Sequence, residues 1–158
     1  MFDPQMNRKV FRLSAWYDLV VSAPFAIPFT LTLAWEAVLI PANAALGFPT
    51  VSTLDPHGFL FANFFGSVVT IWAIVRLYLD DLRLAAFDGV GRVLFSIAMV
   101  NALMSGASPL LWGILIIELI FAFLQLMGAA KTYSRRNAAQ PIRDSSHSRR
   151  CNNSSIGI

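Results

Sequence analysis

LSAWYDLVVSAPFAIPFTLTLAWEAVLIPA, residues 13–42, is the first long apolar run of the chain. A bilayer crossing needs about 20 mostly apolar residues, so the run is long enough to span. It also carries two acids, Asp18 and Glu36, and two prolines in its interior, Pro24 and Pro28, besides Pro41 at its end. A carboxylate is costly in hydrocarbon, which makes each acid a functional-site candidate. Each proline removes a backbone donor and crowds the preceding turn, so one helix with a kink between Pro24 and Pro28 is expected. Neighbouring helices satisfy the carbonyls that such a kink frees.

Composition agrees with a membrane class. Of 158 residues, 56% are hydrophobic and 13% charged, and the mean hydropathy is +0.61. Soluble domains carry about 25% charged residues. One cysteine, Cys151, excludes an intrachain disulfide, and two histidines, His57 and His147, are too few for a haem held by paired membrane histidines. The basic start, apolar run and Ala42-Asn43-Ala44 have the outline of a secretory leader. Leader cores, however, are only about 7–15 residues long. The run therefore reads as a retained helix.

Outward from this run, residues 1–12 form a basic lead-in. Residues 43–57 (NAALGFPTVSTLDPH) read as a loop ending in Asp55-Pro56, a cap followed by proline at the first helical position. A second helix follows at 56–79. Its Asn63, Gly66, Ser67 and Thr70 share a small, polar face suited to close interhelical packing. After the charged connection DDLRLAAFD, Asp88 is expected to cap a third helix at 88–105. Gly106 ends it, and Ser108-Pro109 opens a fourth at 108–130. From Lys131 the chain turns Ser-, Asn- and Arg-rich, a composition that predicts a disordered basic tail over 131–158.

All 12 basic residues fall before helix one, around the second connection or after helix four. By the positive-inside rule that side is cytoplasmic. The expectation is an all-α integral membrane protein of the bacterial inner membrane. It would be a four-helix antiparallel bundle over 13–130 with both termini cytoplasmic.

The polar residues then fall into two groups. In helix one, Asp18, Ser22, Phe25, Phe29, Thr32 and Glu36 step by three and four, which keeps them on one face of a continuous helix. Glu118 belongs to a similar stripe on helix four. Glu36 and Glu118 lie about 9 and 15 Å from the outer ends of their helices. They are expected to share an outer intramembrane site with Asn63 and His57 nearby, fit to hold a proton or a ligand. Asp18, Arg76, Asp88 and Arg92 gather near the inner boundary, where Asp88 and Arg92 have pairing spacing, and read as structural ion pairs.

No Ser-His-Asp arrangement, phosphate-binding glycine loop, CxxC or HExxH is present, so neither a catalytic residue nor a metal site is assigned. The basic tail lacks the fold and interleaved aromatics of a nucleic-acid binder. Four short-looped helices with acids and an arginine near their inner ends resemble the DoxX-like group. WYDLVVSAPFAIP is similar to small proteobacterial inner-membrane proteins. The resemblance covers the topology of residues 14–130 and implies an accessory subunit of a quinone-linked redox complex. The expected function is an accessory or binding subunit, with a proton- or cation-coupled transporter acting as an oligomer as the alternative. Expected partners are the lipid bilayer, another membrane protein or a second copy, and a quinone or other hydrophobic small molecule. No cofactor is assigned.

Overall fold

The computed structural model describes residues 4–49 and 51–138. Among these the regular structure is all helical. Helix α1 covers Pro4–Ser22 and ends in a 3₁₀ turn at Ala23–Phe25. Helix α2, Pro28–Ala34, widens into a π-helical turn at Trp35–Leu39 and continues as α3, Ile40–Ala45. The long helices α4, Pro56–Leu79, α5, Leu84–Met104, and α6, Leu111–Ala138, follow.

Three segments, Pro56–Leu79, Leu84–Met104 and Leu111–Ser134, are long and apolar enough to cross a membrane. Their 24, 21 and 24 residues correspond to roughly 32–36 Å of helix, against about 30 Å of hydrocarbon. A fourth crossing exists if the bent pair Gln5–Phe25 and Pro28–Ala45 counts as one span. The distribution of polarity is that of a protein dissolved in lipid. Among the described residues, ten polar or charged side chains are buried against seven apolar ones. Large apolar side chains such as Phe29, Phe61, Ile71, Ile97 and Phe123 cover the outside.

The expected single kinked helix over 13–42 is corrected on two points. Helix begins at Pro4, so most of the lead-in is helical, and the run is broken rather than kinked. The two halves meet at 99°. Ile27, just before Pro28, adopts φ −122°, ψ 132°, because the proline ring drives the preceding residue out of the α region. The freed carbonyls are taken up by α4: Asn63 Nδ2 donates to Phe25 O at 2.8 Å, and Ser67 Oγ to Ala26 O at 3.3 Å. Ser22 and Thr70 share a hydrogen bond at 3.0 Å. Gly66 sits between these donors, where a Cβ would come within 2.4 Å of the Phe25 carbonyl carbon. The small polar face of α4 is thus the partner of the break. Further on, the π turn precedes Pro41, whose missing N–H leaves the ordinary helical ladder incomplete there.

Asp55 caps α4, accepting from Gly58 N at 2.6 Å. At the other end Asp80 takes a left-handed φ of 45° and donates its N–H to Arg76 O at 3.0 Å. The Asp80 carboxylate binds Arg8 at 2.5 Å and Arg12 at 3.3 Å, tying the start of α1 to the end of α4. The Arg8 hydrogen bond holds the Asp80 carboxyl below its ordinary range. At the opposite end, buried Asn43 donates to Pro49 O at 2.5 Å and accepts from Ser108 Oγ, which links two loops.

Two further boundaries move. Helix α5 starts at Leu84, so Asp88 is a buried residue one turn inside it and not its cap. Helix α6 runs through Ala138, so the expected tail is helical over 131–138; its remainder, 139–158, lies outside the described residues. The helices pack as α1 on α4, α5 on α6 and α1 on α6, whereas the consecutive α4 and α5 scarcely touch along their backbones. Short connection alone did not make those two close neighbours.

Candidate functional site

Each long element contributes polar residues at helical spacing to one buried network. Helix α1 brings Ser14 and Asp18, α4 brings Trp72 and Arg76, α5 brings Asp88 and Arg92, and α6 brings Glu118 and Gln125. Residues four or seven apart lie on one helix face, so every pair points the same way.

Arg76 and Arg92 are the hubs. Arg76 donates from Nη2 to Asp18 Oδ2 and from Nη1 to Asp88 Oδ2 at 2.5 Å. Arg92 donates to all three acids: Nη2 to Asp18 Oδ2 at 2.6 Å, Nε to Asp88 Oδ2 at 3.2 Å, and Nη1 to Glu118 Oε2 at 2.6 Å. Trp72 Nε1 adds 2.9 Å to Asp88 Oδ1. On the side of the network nearer the start of α1, Gln125 Nε2 donates to Ser14 Oγ at 2.7 Å, and Ser14 Oγ donates to Phe11 O at 2.9 Å. Rings close the shell, with Phe121 lying 5.1 Å from the Arg92 guanidinium and Phe11 5.9 Å from that of Arg76. Arg76 is 0% exposed and Arg92 2%, so an unpaired charge here would be strongly penalised. Geometry and shared partners keep these charges tolerable.

Above the network lies a cavity of about 540 Å³, within the range of small-molecule pockets. It opens where α4 and α5 stand apart. Phe25, Phe65, Trp72, Phe87 and Phe95 supply aromatic wall, and Asp18, Asp88, Arg92 and Glu118 form its polar end. Phe65 and Phe95 meet edge to face at 5.3 Å across the α4–α5 seam. Gly91 lines the cavity, and a Cβ placed on it meets nothing within 4 Å.

The structure brings Asp18, Arg76, Asp88 and Arg92 into mutual contact and adds Glu118 to them. It does not bring Glu36 to Glu118. The break at Ile27 ends the helical register that would have kept Asp18 and Glu36 on one face, and Glu36 is exposed on the π turn. Asn63 is spent on the Phe25 carbonyl, and His57 is exposed in the first turn of α4. The outer two-acid site is therefore replaced by a five-charge cluster to which only Glu118 of that group belongs.

Trp72 and Ser14 are not assigned to a site from sequence, and Gln125 enters there only as a member of the Glu118 stripe. Their signal was the polar repeat at four or seven residues on each helix, legible only once all four helices are set side by side. Among the described residues no group of three His, Cys, Asp or Glu is arranged to hold a metal ion. Comparison with protein-family models, curated proteins and solved structures returned no match.

Proposed function

We propose that this chain is an integral inner-membrane protein of four crossings, both termini cytoplasmic, that binds a small hydrophobic molecule. The carrying observation is the aromatic cavity of about 540 Å³ that ends on buried charge. A purely structural bundle gains nothing from such a space, since interiors are normally close-packed and voids cost stability. With no catalytic arrangement in the sequence, the reading is an accessory or binding subunit, as the DoxX-like resemblance also implies. The four-crossing topology rests on counting the bent pair as one span and on the one-sided basic residues.

Gly91→Leu tests this, because the position faces the cavity and the first added atom meets no neighbour. Native mass spectrometry of the protein released from zwitterionic nanodiscs is the readout, with ten-carbon amphiphiles as probes. A single adduct on the wild type that disappears in Gly91→Leu, with an unchanged circular dichroism spectrum, is expected. Adducts indifferent to the substitution refute the cavity as the binding site.

A further inference from the structure

The polar end of the cavity holds carboxylate oxygens without partners and an excess of negative charge. Every nitrogen of Arg92 already donates to a carboxylate, which leaves one further N–H on each terminal nitrogen. Arg76 is fully buried behind the cavity wall and directs both terminal nitrogens to Asp18 and Asp88. Trp72 Nε1 is committed to Asp88, and the Ser22 and Thr70 hydroxyls share one hydrogen between them. Acceptors are left over. Asp18 and Glu118 each use a single oxygen, Oδ2 and Oε2, toward the arginines. Among the described residues Asp18 Oδ1 and Glu118 Oε1 have no hydrogen-bond partner, yet neither is sealed from the cavity. Their side chains are only 10% and 9% exposed, and both residues line the cavity.

Formal charge points the same way. Asp18, Asp88 and Glu118 against Arg76 and Arg92 leave one negative charge in excess (three minus two). A monocation at the cavity end would neutralise the cluster, whereas an anion would add to it. Aromatic faces nearby attract a cation further.

We propose that the cavity selects a lipophilic amine, whose ammonium donates to Asp18 Oδ1 and Glu118 Oε1 while its apolar body lies against Phe65, Phe95 and Trp72. This rests on the cavity being a binding site and adds the chemistry of the head group. A quinone or a fatty acid would take its hydrogen bonds from the Tyr17 hydroxyl or from the second N–H of an Arg92 terminal nitrogen, and a carboxylate would add to the excess negative charge.

The test compares decylamine, decanol and decanoate on the full chain in zwitterionic nanodiscs by native mass spectrometry. Charge-assisted hydrogen bonds favour the amine by about tenfold or more over the alcohol. Decylamine is expected to bind one per chain at least about tenfold tighter than decanol, and decanoate weakest. Glu118→Gln keeps an acceptor toward Arg92 but removes the excess charge. It should bring decylamine down to the decanol level and leave decanol unchanged. Decanol or decanoate binding as tightly as decylamine in the wild type overturns the amine assignment, whether or not the variant folds. Unchanged decylamine binding in a folded Glu118→Gln protein does so too. If none of the three probes binds, or all bind equally to Gly91→Leu, the cavity reading itself falls.

Discussion

Gly66→Ala should be among the most damaging single-methyl additions in this protein. The new Cβ would lie 2.4 Å from the Phe25 carbonyl carbon and 2.6 Å from the Phe25 Cβ and oxygen. Ordinary carbon contacts begin near 3.5 Å, so α4 and the helix break must separate by about 1 Å. Backbone is on the receiving side, which leaves no flexible side chain to yield. Overpacking of this kind costs about 1–3 kcal/mol. The same movement stretches the 2.8 Å bond from Asn63 to Phe25 O and the 3.3 Å bond from Ser67 to Ala26 O, and losing the first costs about another 1 kcal/mol. Alanine returns about 1 kcal/mol in helix propensity, for a net loss of about 1–3 kcal/mol. Gly91→Ala is the internal control, since it has the same propensity gain and nothing within 4 Å. Thermal unfolding of both variants in one detergent, followed by circular dichroism, reads the difference. Equal stability of the two variants would refute the view that α4 is fitted to the broken helix.

Two other perturbations follow from the charges. Arg92→Met leaves Asp18, Asp88 and Glu118 facing a single guanidinium. It should destabilise by about 3–5 kcal/mol, and adding Glu118→Gln should recover part of that loss. A double-mutant cycle giving simple additivity would show that Arg92 and Glu118 are not coupled. At the end of α4, the Asp80 carboxyl is held below its ordinary range by Arg8. Its contribution to stability is therefore complete above the unfolded value and lost as pH falls through the lower folded one. Asp80→Asn keeps a residue that tolerates left-handed backbone. It should cost less than about 1 kcal/mol at neutral pH. It should also flatten the fall in melting temperature below about pH 4, and an unaltered acid profile would exclude the Arg8–Asp80 pair as its source.

The sequence by itself determined the solvent and the element type. Apolar stretches of bilayer length with almost no charge inside can satisfy their backbone only as helices. The proline-capped start of α4 was legible because Asp55-Pro56 is a local signal. So was the small polar face of α4, although not what it would cover. Local rules misplaced Asp88, whose cap-like position one turn into α5 is explained by the ion pairs it makes with Arg76 and Arg92.

Tertiary structure decided the site. Asp18 and Glu36 share a face only while one helix runs uninterrupted between them. That register was lost at Ile27, where Pro28 forced extended backbone and α4 supplied the donors that make a full break affordable. Which acid joins which arginine then depended on four helices meeting around Arg76 and Arg92. The space between α4 and α5 is written in no single stretch, because it exists only where the backbones of two consecutive helices stand apart and their side chains alone meet. Residue spacing fixes what shares a face; helix–helix geometry fixes what that face meets.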